Sequence, residues 1–204
     1  MSDPRVSIRP EYFEMVYGAN ADPWGFETSA YEAAKYDATL AALPRSRYRA
    51  GFEIGCSIGV LTQRLAHRCT NLLAVDVVPE VLDRARTRCR DLPQVRFALM
   101  ETPGELPERN FDLIVLSEVA YYWSIDDLAR ARVALAERLL PGGHLILVHW
   151  TPWVHDYPQT GDSAHDAFME VAGSDGLLRH LTCQRKETYR LDLFDRRSHS
   201  SLNS

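Results

Sequence analysis

The stretch AGFEIGCSIGVLTQRL, residues 50–65, decides the fold of this chain. Its first part, residues 50–55, is apolar and predicts a buried strand, whereas Leu61 to Arg68 has the spacing of a helix. The loop between them begins at Gly55, which can adopt backbone angles closed to other residues. We expect Gly59, at its end, to let the chain approach a bound ligand closely. A strand, a glycine loop and a helix in this order present backbone N–H groups to a ligand.

The rest of the chain repeats this alternation of strand and helix. Residues 79–90 and 126–140 have helical spacing, and Pro141-Gly142-Gly143 predicts the end of the second helix and a turn. Further strands are predicted at 71–76, at 95–99, from Phe111, at 144–150 and, as a hairpin at the sheet edge, twice within 178–194. This pattern predicts an α/β fold with a doubly wound, Rossmann-like, mostly parallel sheet of seven strands.

The N-terminal segment has a different pattern. Residues 12–43 are helical in spacing but are broken around Asp22-Pro23-Trp24-Gly25. We predict a helical lid at residues 1–43, a catalytic domain at 44–195 and a disordered polar tail at 196–204.

Composition limits the classes of function. A formal net charge of −5 with mixed signs gives no basic face for a nucleic acid, and no segment has the length of apolar sequence that a membrane span needs. The four cysteines match no zinc spacing, so we expect free thiols and no metal site. Without an apolar run at the N-terminus that could act as a signal peptide, we expect a cytoplasmic protein.

The cofactor is indicated by the loop and by Asp76, which follows Gly55 by 21 positions at the end of the next predicted strand. A carboxylate there can accept hydrogen bonds from ribose hydroxyls. A dinucleotide loop would read G-x-G-x-x-G, but Cys56-Ser57-Ile58 fills the place of its second glycine. S-adenosylmethionine has no phosphate, and its loops resemble E/D-x-G-x-x-x-G, which residues 53–59 match. We therefore expect S-adenosylmethionine, with S-adenosylhomocysteine as product.

The predicted cofactor-binding residues follow four of the strands. Residues 100–102 come after the third strand, where this fold meets the adenine, and Glu118 ends the fourth strand beside the switch point of the sheet. The full set is Glu53, Gly55, Cys56, Ser57, Ile58, Gly59, Asp76, Val77, Met100, Glu101, Thr102, Ser117 and Glu118.

Candidate catalytic residues are Glu118, His149 and His155. We expect Glu118 to hold the acceptor group and His149 to orient it or take its proton, since both follow strands at the ligand-binding edge. A core histidine packed between Val148 and Trp150 is the alternative for His149. Candidates for the acceptor side or the lid are Trp24, Tyr31, Tyr36, Tyr121, Tyr122, Trp123, Asp156 and His165.

Several segments resemble the nodulation protein S-like N-methyltransferases, a family of class I methyltransferases. They are DPWGF at 22–26, followed by Thr28-Ser29, Tyr31-Glu32 and Lys35-Tyr36; FEIGCSIGVLTQRLAHRC at 52–69; LSEVAYYW at 116–123; and Asp156-Tyr157-Pro158 with Gly161-Asp162 and His165. The resemblance implies a class I methyltransferase fold. It also implies methylation of the free amine of a deacetylated glucosamine at the non-reducing end of a chitin-like oligosaccharide.

Three other functions stay open at this point. One is N- or O-methylation of another small metabolite. A second is a nicotinamide-dependent oxidoreductase, which the loop disfavours. The third is a scaffold that binds the cofactor without turnover, because binding alone does not prove chemistry.

Overall fold

A computed structural model of the chain describes residues 3–173 and 176–198. The strands within these ranges are β1 (Gly51–Ile54), β2 (Leu72–Asp76), β3 (Val95–Leu99), β4 (Phe111–Ser117), β5 (Leu139–Trp150), β6 (Leu178–Arg185) and β7 (Tyr189–Arg196). The α-helices are α1 (Pro10–Ala19), α2 (Ala30–Ala42), α3 (Val60–Leu65), α4 (Pro79–Arg88), α5 (Ile125–Arg138) and α6 (Gly161–Met169), with 3₁₀ turns at Ala66–Arg68 and Ala120–Tyr122.

The seven strands form one sheet in the order β3-β2-β1-β4-β5-β7-β6. Strands β1 to β5 are parallel, and β7 runs antiparallel to both β5 and β6. The chain order reverses between β1 and β4, so the carboxyl ends of these two strands form the switch point at which open sheets bind ligands. The predicted seven-stranded, mostly parallel sheet is confirmed.

Helices cover both faces of the sheet, which explains why its central strands are buried along their length and mostly apolar. Residues 111–116 of β4 are all buried. The largest core cluster joins β1 and β4 to α5 and α6, and a second joins the opposite face to α2 and α3. The rings of Phe52 and Phe111 stack in the first cluster, with their centroids 4.9 Å apart.

The segment Pro141-Gly142-Gly143 differs from its prediction, because it lies inside β5 instead of forming a turn before it. Helix α5 ends at Arg138, since the buried Leu139 already pairs with Phe111 in the sheet. The register then shifts before Leu113 pairs with His144, and Gly142 takes a φ of +71°. The glycines therefore provide an irregularity within a strand that has already begun.

Helix α6 was not predicted. A capping box starts it: the Thr160 side chain accepts from the backbone N–H of Ser163, and the Ser163 side chain accepts from the backbone N–H of Thr160. Of the predicted tail, Arg196 belongs to β7, and residues 199–204 lie outside the described residues. None of the helices in the described ranges combines the length and apolar character that a membrane crossing requires.

Replacing Phe111 with Ala should lower the free energy of unfolding by about 3–5 kcal/mol, because a fully buried, stacked ring is removed from the core. Urea denaturation measures the loss. Val133→Ala, on the exposed side of α5, is the matched control and should change stability by less than about 0.5 kcal/mol. Equal losses in the two variants would contradict the assigned core.

Candidate functional site

A cavity of about 840 Å³ lies at the switch point of the sheet. Its volume is within the usual range of small-molecule sites. The loop after β1, the ends of β2 and β4 and the N-terminal segment line it. The lining includes these predicted site residues: Trp24, Tyr31, Tyr36, Glu53, Gly55, Cys56, Ser57, Ile58, Asp76, Val77, Met100, Glu101, Thr102, Ser117, Glu118, Tyr121, Tyr122 and Trp123.

The glycine loop is held in shape by Asp76. One oxygen of this carboxylate accepts from the backbone N–H of Ser57 at 2.8 Å, and the other accepts from the N–H of Val78 at 3.1 Å. Gly55 has a φ of +75°, and a Cβ there would lie 2.2 Å from the Cγ2 of Val119. A side chain at this position is therefore excluded by both the backbone angle and the space.

Gly59 has a different role from the one expected. It also has a positive φ, of +80°, but a Cβ there would lie 3.0 Å from the backbone and side chain of Ala85 on α4. Gly59 is not part of the cavity lining. Its missing side chain allows the close packing of two helices, and it does not make room for a ligand.

Two acidic side chains are buried beneath the loop. Burial raises the pKa of Glu53 to about 8, and one of its carboxylate oxygens has no hydrogen-bond partner in the described part of the chain. Burial also raises the pKa of Asp76, although the backbone N–H of Ser57 opposes the shift. The two carboxyl groups therefore leave hydrogen-bonding capacity at the cavity floor for a polar ligand group.

Glu118 connects three elements of the site. Its φ is +58°, which is uncommon for a residue other than glycine. One carboxylate oxygen accepts from Lys35 Nζ at 2.6 Å. The other accepts from the Tyr121 hydroxyl at 2.6 Å and from the backbone N–H of Trp150 at 2.9 Å. Helix α2, the turn after β4 and the end of β5 thus meet at one carboxylate.

Lys35 and Glu32 are functional candidates that the sequence analysis missed. Both are buried on α2, with Lys35 Nζ 2.9 Å from one oxygen of Glu32. The Lys35 ammonium also lies 5.2 Å from the centre of the Tyr31 ring. Two signals were available, their place in the N-terminal segment that resembles the family and their spacing of three residues on a predicted helix, but an exposed surface pair has the same spacing. Contact with Glu118, 83 residues away, gave no signal in the sequence.

Aromatic side chains form a further wall of the cavity, which we call the aromatic wall. The rings of Tyr121 and Tyr157 are stacked at 5.1 Å, and Tyr122 meets Tyr157 edge to face at 4.7 Å. Tyr31 meets Trp150 in the same way at 6.0 Å. The site therefore combines broad ring faces with carboxylates, an environment suited to a cationic group.

The N-terminal segment lies against this cavity. The Tyr17 hydroxyl hydrogen-bonds the Ser57 hydroxyl in the glycine loop, and the backbone N–H of Ile8 donates to the carbonyl of Tyr122 at 2.8 Å. Trp24 packs edge to face on Tyr17. The segment thus contacts both the loop and the aromatic wall.

His149 and His165 do not reach the cavity, contrary to the roles expected for them. Both side chains are fully buried. His149 Nε2 accepts from the backbone N–H of Ala120 at 3.1 Å, and its Nδ1 lies 3.0 Å from His165 Nε2. His165 Nδ1 in turn lies 2.6 Å from a carboxylate oxygen of Asp192. These histidines support the Ala120–Tyr122 turn from the side of the core, so neither ring faces a molecule bound in the cavity.

His155 and Asp156 are exposed and pair with each other, with 3.0 Å between Nδ1 and Oδ1. They lie between Val154 and Tyr157, which do line the cavity, but their own side chains are not part of its lining. A direct role for His155 in catalysis therefore has no support from its position. Within the described ranges, no group of three or more His, Cys, Asp or Glu side chains is arranged to hold a metal ion.

Comparison with known sequences gives a family match. Residues 17–148 match the protein family described as "Nodulation protein S (NodS)". The nodulation protein S of Rhizobium tropici is 31% identical over 176 residues, which make up 84% of this chain and 69% of that protein. The chain spans 60% and 49% of the length of two further nodulation protein S relatives.

Solved structures give the same fold. A candidate methyltransferase from Pseudomonas syringae is 35% identical with a TM-score of 0.70, and the match covers 82% of this chain and 100% of that one. The N-methyltransferase NodS from Bradyrhizobium japonicum WM9, solved in complex with S-adenosyl-L-homocysteine, has a TM-score of 0.78 at 24% identity, covering 92% and 98% of the two chains. The predicted class I methyltransferase fold is confirmed.

The buried histidines should make the protein sensitive to acid. Burial lowers the pKa of both His149 and His165 in the folded state, so below about pH 6.5 the unfolded chain binds protons that the folded chain does not. The free energy of unfolding should therefore fall as the pH decreases from 6.5, by up to about 1.4 kcal/mol per pH unit for each histidine.

Urea denaturation between pH 7.5 and 5.5 measures this dependence. His165→Gln should make it shallower, and His67→Gln, at an exposed position, is the matched control. A dependence as steep in His165→Gln as in the parent protein would show that His165 is not the titrating group.

Proposed function

The chain belongs to the nodulation protein S (NodS) family of S-adenosylmethionine-dependent methyltransferases, and we propose on this premise that it methylates an amine. The proposed acceptor is the free amine of a deacetylated glucosamine at the non-reducing end of a chitooligosaccharide. The observation that carries this proposal is that one cavity joins the glycine loop and Asp76 to an aromatic wall and the carboxylates of Glu118 and Glu32.

The residues around the loop fit the cofactor. Asp76 keeps unused lone pairs for the ribose hydroxyls, and the unpaired oxygen of Glu53 is a buried polar atom that a polar ligand group can satisfy. Residues 100–102 line the same cavity on the side of β3, where we place the adenine. Residues 55–58 of the glycine loop line the same cavity.

When bound, S-adenosylmethionine supplies a methyl carbon on positively charged sulfur, and the amine lone pair forms the N–C bond while the S–C bond breaks with its electron pair remaining on sulfur. The protein has to orient the amine, remove its extra proton and exclude water. Tyr157 and Trp150, which are only partly buried, line the cavity with rings against which a sugar can pack. Glu118 has one lone pair left after its three hydrogen bonds, so it can accept one further hydrogen bond that orients the amine, but it cannot by itself satisfy all the donors of an ammonium ion.

We propose that the N-terminal segment, residues 1–43, acts as a lid over this site. Its contacts support this role, because Tyr17 touches the glycine loop and Lys35 pairs with Glu118. The aromatic residues Trp24, Tyr31 and Tyr36 line the cavity from this segment and shield it from water.

The proposed reaction is tested by measuring release of S-adenosylhomocysteine. Turnover is expected with a chitooligosaccharide deacetylated at its non-reducing end, because only a free amine offers a lone pair to the methyl carbon. The fully acetylated oligosaccharide is the control and should give none. Equal turnover with both, or turnover with neither, would contradict the proposed acceptor.

Replacing Asp76 with Ala should weaken binding of S-adenosylhomocysteine by about 2–3 kcal/mol, because the ribose loses a charged acceptor and the loop loses its anchor at Ser57. Calorimetric titration measures the change. Asp83→Ala, an exposed position on α4, is the matched control. An unchanged dissociation constant in Asp76→Ala would remove Asp76 from the cofactor site.

A further inference from the structure

We infer that the acceptor amine binds as an ammonium ion beside Glu32, at the start of helix α2, and that Glu32 takes the proton that must leave before methyl transfer. This inference rests on the proposed function and names the residue at which the amine is received. Glu32 lines the cavity and is only 7% exposed.

Hydrogen-bond capacity favours Glu32 over Glu118. Glu118 already accepts from Lys35, Tyr121 and the backbone of Trp150. Glu32 accepts only from Lys35 through one oxygen, and its second oxygen is buried with no partner in the part of the chain that the structure describes. An ammonium ion has three N–H donors to place, and a buried acceptor without a partner is costly until a ligand satisfies it.

The charge of the cluster also favours a cation. Glu32 and Glu118 flank a single Lys35, so the three side chains carry one net negative charge when all are ionised. Burial alone would lower the pKa of Lys35, but the two carboxylates outweigh burial and raise it. Lys35 therefore stays protonated and cannot serve as the base.

The neighbouring rings add to this preference. Tyr31, one residue before Glu32, lies close enough to Lys35 for its ring face to interact with a positive charge, and it also meets Trp150. Tyr121 brings a second ring to the same region, and its hydroxyl donates a hydrogen bond to Glu118. Ring faces attract cations most strongly where water is excluded.

The proposed step moves one proton from the ammonium nitrogen to the Glu32 carboxylate. The N–H bond of the ammonium breaks with its electron pair remaining on nitrogen, and the proton forms an O–H bond on Glu32. Burial raises the pKa of Glu32 above its ordinary value, against the opposing effect of Lys35, which brings the carboxylate closer to the amine in proton affinity. After the methylated ammonium leaves, Glu32 returns its proton to water.

The charged groups that face Glu32 come from three elements. Lys35 lies on its own helix, Glu118 follows β4, and Asp22 lies in the segment between α1 and α2. Tyr31 and Tyr36 are also close, and burial raises the pKa of both hydroxyls, so they stay neutral. Among these groups Lys35 is the only cation, and the carboxylates of Glu32, Glu118 and Asp22 outnumber it.

Replacing Glu32 with Gln removes the charge and keeps the size of the side chain. Amine binding is measured by calorimetry on the protein loaded with S-adenosylhomocysteine, with glucosamine and the deacetylated oligosaccharide as probes and the acetylated sugars as neutral controls. We expect E32Q to weaken amine binding by about 10- to 100-fold. Binding of S-adenosylhomocysteine itself should change little.

Turnover gives a second readout. In E32Q, kcat/KM for the amine should fall by roughly 100-fold or more at pH 7. It should then rise with pH towards the pKa of the free amine, near 8, because only the neutral amine in solution can react. Glu32→Asp should retain the pH profile of the parent protein. Asp37→Asn, an exposed acid on the same helix and outside the cavity, is the matched control.

The outcomes separate this inference from the proposed function. If the parent protein binds and methylates the amine, and E32Q matches it in affinity and pH profile, the inference is wrong and the proposed function stands. If the parent protein neither binds nor methylates any of these amines, the proposed acceptor is wrong, and the inference about Glu32, which rests on it, is wrong as well. Should E32Q not fold, as judged by circular dichroism, Glu32→Ala gives the same contrast between amine and acetylated sugar.

Discussion

The carboxylate of Glu118 is the contact on which the site depends. It stands at the switch point of the sheet with a left-handed backbone, and it receives hydrogen bonds from Lys35, from Tyr121 and from the backbone of Trp150. Without it, helix α2 would have no charged anchor on the sheet, and Lys35 would be a buried cation with one carboxylate instead of two. A left-handed conformation away from glycine is costly, and such positions concentrate at functional sites.

The sequence predicted those parts of the fold that depend on residues close together in the chain. Apolar runs buried on both faces gave the parallel strands, and the glycine loop with Asp76 gave the position of the cavity, because these features depend on neighbours close in the chain. The turn predicted at 141–143 was wrong, since pairing of Leu139 with Phe111 outweighed the helix-ending signal of Pro141 and the glycines.

The burial of His149 and His165 behind the cavity could not have been predicted from sequence. A histidine at the end of a strand has the same local pattern whether its ring faces the cavity or the core. Here the backbone N–H of Ala120 must donate to His149 Nε2, which leaves the proton of a neutral ring on Nδ1. His149 Nδ1 therefore donates to His165 Nε2, which leaves the proton of a neutral His165 ring on Nδ1, where it faces Asp192. Long-range contacts of this kind fix the tautomers of both rings.

The contact between Gly55 and Val119 has a thermodynamic consequence. The place of the missing Cβ is occupied by the side chain of the residue that joins Glu118 to the Ala120–Tyr122 turn. A ligand that displaces the glycine loop must therefore displace this turn as well, and with it the ring of Tyr121. If such movement changes affinity at the other end of the cavity, the coupling must be reciprocal, with each ligand altering the dissociation constant of the other by the same factor.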